Sequence, residues 1–139
     1  MKNAIVFGFV IVMLGLGMAS HAADFDGEWV GSIEVHGRDF EFQVRIVVED
    51  GQADQYFEGD GTPWRRVDPR QSSFTEHRNN AHLVWLNSGG IWTETQSYHL
   101  SMVNETTLEV LYTRHVNNRA PGEDGEPWSL IGSGTLERM

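Results

Sequence analysis

The sequence predicts an all-β protein: an antiparallel up-and-down β-barrel of about eight strands, preceded by a signal-peptide helix. Three observations carry this expectation. Apolar and polar residues alternate with a period of two, most clearly at Phe40, Phe42, Val44, Ile46 and Val48, with Glu41, Gln43, Arg45 and Glu49 on the opposite face. Turn-forming residues punctuate the chain at short, regular intervals. Beyond residue 23, no long stretch repeats apolar residues at helical spacing.

Met1-Lys2-Asn3 is a short basic start, Ala4 to Ala19 carry no charge, and Ser20-His21-Ala22-Ala23 supply small residues. That order is the order of a secretory signal, with cleavage expected after Ala22 or Ala23. The apolar run is short for a transmembrane span, which needs about 20 predominantly apolar residues. It is interrupted by Gly8, Gly15 and Gly17 and followed at once by Asp24, Asp26 and Glu28. Residues 1–23 are thus expected to be removed, leaving residues 24–139 as a single domain. The chain has no cysteine, so neither a lipid-anchoring cysteine nor a disulfide is available. The expected location is periplasmic or secreted, with no stable membrane anchor after cleavage.

Candidate strands lie near 28–36, 39–49, 53–58, 62–67, 73–78, 81–86, 91–103 and 107–116, with 128–137 as a candidate ninth. Asp50-Gly51 carries hairpin chemistry between the second and third. Pro63 demotes 62–67 to an edge strand or loop. The other turn signals are His36-Gly37-Arg38, Gly59-Asp60-Gly61, Asn79-Asn80, Asn87-Ser88-Gly89-Gly90, Asn104-Glu105 and Asn117-Asn118. Ala120 to Pro127 reads as a polar loop.

Charge narrows the function classes. With Lys2 removed, the cations are all arginine and face 20 acidic residues. A field of that sign repels phosphate and anionic lipid, which argues against nucleic acid and membrane surfaces as partners.

A register can be argued from the sequence. With Asn87–Gly90 as a four-residue turn, Leu86 faces Ile91 and Trp85 faces Trp92. With Asn104–Thr106 as the next loop, Val103 faces Thr107, Met102 meets Leu108, Leu100 meets Val110, Tyr98 meets Tyr112 and Gln96 meets Arg114. This choice keeps large apolar groups on one face. The face is apolar at its Leu100 end and polar at its Arg114 end.

Gly27-Glu28-Trp29, opening the first strand, resembles the Gly-x-Trp start of the lipocalins and related calycin barrels. The resemblance implies an eight-stranded barrel that holds small, mostly apolar ligands in its cup. It also implies an arginine near the chain end packing over the tryptophan, for which Arg138 is the positional candidate. The family's middle Thr-Asp-Tyr motif is absent, and its long first loop and C-terminal helix are not evident, so the match covers about four residues at the two ends.

The candidate ligand-binding residues are Trp85, Trp92, Glu94, Gln96, Tyr98, Tyr112 and Arg114. Pockets are mostly apolar and aromatic with a few convergent polar groups, and an arginine fork suits a carboxylate. Ordinary core packing is the competing reading for the aromatics. The predicted function is an exported, non-enzymatic binder of a small hydrophobic or amphipathic ligand, with an anionic group accommodated by Arg114. The alternative is a protein-interaction or inhibitor module, with an envelope protein as partner. It would act through the arginine-rich segment 65–78, where Arg65, Arg66 and Arg70 are the candidate contacts and local pairing with Asp60, Asp68 and Glu76 competes. No cofactor is implied. The histidines lack zinc or haem spacing, and His82, Thr95 and His115 are expected in one surface row. Asp50, Asp54, Glu58 and Asp60 lack a calcium-loop pattern. No nucleophile elbow or paired-carboxylate arrangement marks a catalytic residue.

Overall fold

The computed structural model describes residues 23–58, 63–120 and 122–139. The predicted signal segment lies outside them, apart from Ala23. Nine strands form one antiparallel sheet: β1 (Gly27–Val35), β2 (Glu41–Glu49), β3 (Gln52–Phe57), β4 (Arg65–Arg66), β5 (Gln71–His77), β6 (Asn80–Gly89), β7 (Trp92–Asn104), β8 (Thr107–Asn117) and β9 (Trp128–Arg138). Their spatial order is β4-β3-β2-β1-β9-β8-β7-β6-β5. The chain is thus two meanders joined where β9 pairs with β1. The sheet curls into a half-barrel whose free edges are β4 and β5 among the described residues.

This corrects the sequence reading in three respects. The described residues form nine strands, one more than the eight expected for the barrel, and the candidate ninth over 128–137 is present and sits in the middle of the sheet. The segment around 62–67 keeps only the two residues of β4, as Pro63 foreshadows. The hydrogen-bonded ladder does not close on itself, because so short a β4 cannot carry a pairing with β5.

The turns follow local chemistry. Asp50 and Gly51 both have positive φ, 51° and 72°, which suits the two-residue hairpin joining β2 to β3. The β6–β7 turn is not the four-residue loop expected. The strands run on until Gly89 faces Trp92, leaving Gly90 and Ile91 as the turn, with Gly90 at φ 63°. Trp85 therefore faces Gln96, not Trp92, and Leu86 faces Thr95. The register moves by four residues. An even shift leaves every side chain on its predicted face. The β7–β8 pairing from Gln96–Arg114 to Met102–Leu108 is as the sequence predicts. A bulge after Met102 then pairs Asn104, not Val103, with Thr107.

The inner face holds the core. Trp29, Ile33, Val44, Ile46, Tyr98, Leu108 and Leu136 have no exposed surface. Burying each large apolar side chain contributes roughly 1.5–3 kcal/mol. The β1–β9 seam depends on glycine at two positions. A Cβ on Gly31 would collide with the Thr135 carbonyl, and one on Gly134 with the Ser32 carbonyl.

Candidate functional site

The two ends of the half-barrel interior differ. At one end Leu100, Val110, Leu108 and Leu136 fill the space. At the other, a cavity of about 530 Å³ opens between β1–β3 and β6–β9. Val35, Phe40, Phe42, Phe57 and Leu130 line one side; Trp85, Asn87, Glu94, Gln96, Tyr112 and Arg114 line the other. Glu58, Arg66 and Asp68, all exposed, also line it.

Strand alternation places the polar groups. Glu94, Gln96 and Tyr98 are successive inward positions of β7, and Tyr112 and Arg114 are inward on β8. They form one chain of contacts. The Tyr112 hydroxyl donates to Gln96 Oε1 at 2.8 Å, and the Tyr98 hydroxyl approaches the same oxygen at 3.5 Å. Gln96 Nε2 donates to Glu94 Oε1. Arg114 Nε lies 2.6 Å from that carboxylate oxygen, although its N–H does not aim along a hydrogen bond. Glu94 is only 4% exposed, whereas the Arg114 side chain is 33% exposed. Arg114 also lies over the Trp128 ring, 5.1 Å from its centroid. No hydrogen bond from its terminal nitrogens is found among the described residues.

Burial sets the direction of this chain. It pushes the Tyr98 hydroxyl well above the ordinary tyrosine range, with the neighbouring Tyr112 adding to the rise. Tyr112 is raised as well, again chiefly by burial, while Arg114 opposes the rise. Both hydroxyls thus stay protonated donors at neutral pH. Gln96 Oε1 must accept, so its amide nitrogen faces Glu94. On the seam side, Trp85 Nε1 donates to Gln55 Oε1 at 2.6 Å, linking β6 to β3 across the interior.

Six of the seven predicted ligand residues fall on or directly beneath this cavity. Trp85, Glu94, Gln96, Tyr112 and Arg114 line it; Tyr98 is fully buried under Gln96. Trp92 does not join them. It lies half-buried at the β6–β7 turn against Gly89, because the hairpin is tighter than expected. The apolar wall of Phe40, Phe42, Phe57 and Leu130, and the Gln55 bridge, lay beyond the sequence reading. Phe42 was visible on one face of β2, with Phe40 just before the strand, but only the β9–β1 pairing sets that face opposite β7 and β8.

Arg78 stands apart from the other arginines of the 65–78 segment. Arg65 and Arg66 occupy β4, where Arg66 pairs with Asp54 at 2.8 Å, and Asp54 raises the Arg66 pKa further. Arg70 donates to the Ser88 carbonyl at 3.2 Å. Arg78 stands at the far end of β5, in the turn to β6. At about 3.3 Å per residue, β5 separates Arg70 from Arg78 by more than 20 Å. The predicted histidine row is also corrected: Thr95 faces His115, but His82 faces His99, and their rings stack at 4.0 Å. Among the described residues, no group of three or more His, Asp or Glu side chains is placed to hold a metal ion.

Arg138 stacks on Trp29 at 4.4 Å, as the calycin resemblance implies. In comparisons with known protein families, curated proteins and solved structures, the chain matches none.

Proposed function

We propose that this chain is an exported, non-enzymatic binding protein that holds a small amphipathic molecule in the cavity at the Arg114 end. One observation carries the reading. Arg114 is paired through its Nε with a buried carboxylate and lines a cavity walled in part by aromatic rings. A volume of about 530 Å³ falls in the range of small-molecule sites. A guanidinium whose terminal nitrogens have no hydrogen-bond partner among the described residues suits a carboxylate or similar anion. The Trp29–Arg138 stack and the curled antiparallel sheet support a lipocalin-like mode of use, with the ligand in the cup. The signal-like residues 1–23 support action in the periplasm or outside the cell.

The test has two parts. Native mass spectrometry of the protein purified from its own host should show a small molecule travelling with it. Tryptophan fluorescence should respond to amphipathic acids, since Trp85 and Trp128 adjoin the cavity or its arginine. Protein that carries no small molecule and gives no response to any amphipathic acid would sink the proposal. N-terminal sequencing of the exported protein should begin at residue 23 or 24.

A further inference from the structure

The chain is tied to the sheet from Ala23 onward. The Ala23 N–H donates to the Arg78 carbonyl at 3.1 Å, in the turn from β5 to β6. Its side chain is partly buried against the core, and Phe25 belongs to that core. The carbonyls of residues 24–26 are all engaged. Arg138 donates to those of Asp24 and Asp26, and the Trp29 indole donates to that of Phe25. The Asp26 N–H donates to Asp24 Oδ1 at 3.0 Å. Removing Ala23 or any of the three residues after it would break one of these contacts.

Charge at this place is one-sided. Strand alternation puts Glu76 on the same side of β5 as Phe74, which packs against the core, and His77 on the other. Burial raises the Glu76 carboxyl above the ordinary range, and Asp26 and Asp24 add to the rise, so the three carboxylates stand near one another. Among the described residues none of the three makes an ion pair. The nearby cations are Arg138, whose terminal nitrogens serve two carbonyls, and the exposed Arg78. The sequence singles out the same residue. A cut after Ala22 leaves the small residues Ala22 and Ser20 at the last and third-last positions of the leader, whereas a cut after Ala23 would place His21 third from the end.

Resting on the export reading above, we infer that the Ala22–Ala23 amide is the processing site and that the α-ammonium it releases is part of the fold, donating to the Arg78 carbonyl beside Asp24, Asp26 and Glu76. Water adds across the amide, catalysed by a signal peptidase. Ala22 leaves as a carboxylate, and Ala23 keeps a protonated amine. That amine retains the donor already aimed at Arg78 and adds a full positive charge where three carboxylates meet. A cut further upstream leaves the Ala23 nitrogen an uncharged amide. An α-amine ordinarily titrates at about 7.7–8.0, and neighbouring carboxylates raise that value in the folded chain. Its stabilisation is therefore present below the ordinary value and lost as pH rises through the raised one.

The full chain is expressed with export, and the product is sequenced from its N-terminus. The expected first residue is Ala23. A product starting at Asp24, or at a residue before Ala23, overturns the assignment while the export reading stands; an uncut chain removes both. A second chain carries Gly-Ser inserted between Ala22 and Ala23, which displaces the amine but keeps the Ala23 N–H. Its product should start at the inserted Gly and melt about 2–4 °C lower than the unaltered product at neutral pH. The gap should close at about pH 10, where the amine is neutral in both proteins. Glu76→Gln in both chains should narrow the gap at neutral pH. Equal melting at neutral pH, or a gap that does not change with pH, overturns the role of the ammonium.

Discussion

Arg138 lies over the ring of Trp29, 4.4 Å from its centroid, while its two terminal nitrogens donate to the carbonyls of Asp24 at 2.6 Å and Asp26 at 3.0 Å. Trp29 completes the set by donating its indole N–H to the Phe25 carbonyl at 2.8 Å. The two residues are direct neighbours across the β1–β9 pair. Three N–H donors and three backbone carbonyls thus tie residues 24–29 to the end of β9.

Arg138→Leu should therefore lower stability by about 1–3 kcal/mol, combining a cation–π contact with two charge-assisted hydrogen bonds. Arg138→Lys should recover only part, because an ammonium cannot serve both carbonyls from one plane. Urea denaturation of the three proteins measures this. A loss below about 0.5 kcal/mol for Arg138→Leu would show that the stack is ornamental.

Gly31→Ala and Gly134→Ala should be more damaging than either arginine change. Each methyl would meet a backbone carbonyl of the neighbouring strand, and backbone cannot move aside as a flexible side chain can. A loss of about 2–4 kcal/mol is expected for each, with the sheet opening between β1 and β9. Thermal unfolding followed by near-ultraviolet dichroism would report it. Gly37→Ala, at a turn with nothing within 4 Å of the added carbon but with φ 72°, should cost only about 1 kcal/mol.

How much of this was legible in the sequence depends on the range of the interaction. The alternation from Phe42 to Val48 and the Asp50-Gly51 turn are local signals, and both appear as read, whereas Phe40 falls just before β2 and is exposed. The Gln96–Arg114 register was also legible, because a one-residue slip would have put Thr113 and His115 into the core. The β6–β7 register was not, because shifts of two or four residues leave the same side chains inward. The hydrophobic pattern cannot distinguish them, and only the turn decides. Nothing local placed β9 between β1 and β8 either. Its glycines Gly132 and Gly134 weaken its strand signal, yet they are what allow it to approach β1 so closely. The apolar wall of the cavity therefore came from strands far apart in sequence.

His82 and His99 supply a pH-dependent prediction. Their rings stack at 4.0 Å, and His82 Nε2 is buried without a hydrogen-bond partner. Burial first, and the neighbouring His99 second, hold the His82 pKa below its ordinary value of 6.5. The sign follows by linkage. As pH falls through 6.5, the unfolded chain protonates this residue before the folded one does, so stability is lost below that value. Above it the residue is neutral in both states and contributes no slope. His82→Gln should flatten the stability–pH curve between pH 6.5 and the depressed value. His99→Gln should move the His82 titration upward, as seen in its imidazole proton shifts. A His82 that titrates at 6.5 or above in the unaltered protein would remove the basis of this prediction.

The last prediction concerns Arg114 itself. Arg114→Leu removes the cavity's cation, but it also strands the buried Glu94 carboxylate, which is 4% exposed. Breaking a buried ion pair from one side costs up to about 3–5 kcal/mol, so the single variant confounds binding with folding. The informative protein is the double variant Glu94→Gln with Arg114→Leu, in which neither charge remains. Its stability should lie closer to that of the unaltered protein than Arg114→Leu does. Against this background, binding of a carboxylate probe should weaken by about 2–5 kcal/mol, the scale for losing a hydrogen-bonded charged partner at a buried contact. The methyl ester of the same probe should bind the two proteins within about 0.5 kcal/mol, since it never engaged the guanidinium as an anion. Arg114→Lys should fall between, keeping the charge but not the planar fork. Equal losses for acid and ester would mean that Arg114 shapes the cavity through packing on Trp128 and Glu94, and that no anion is recognised there.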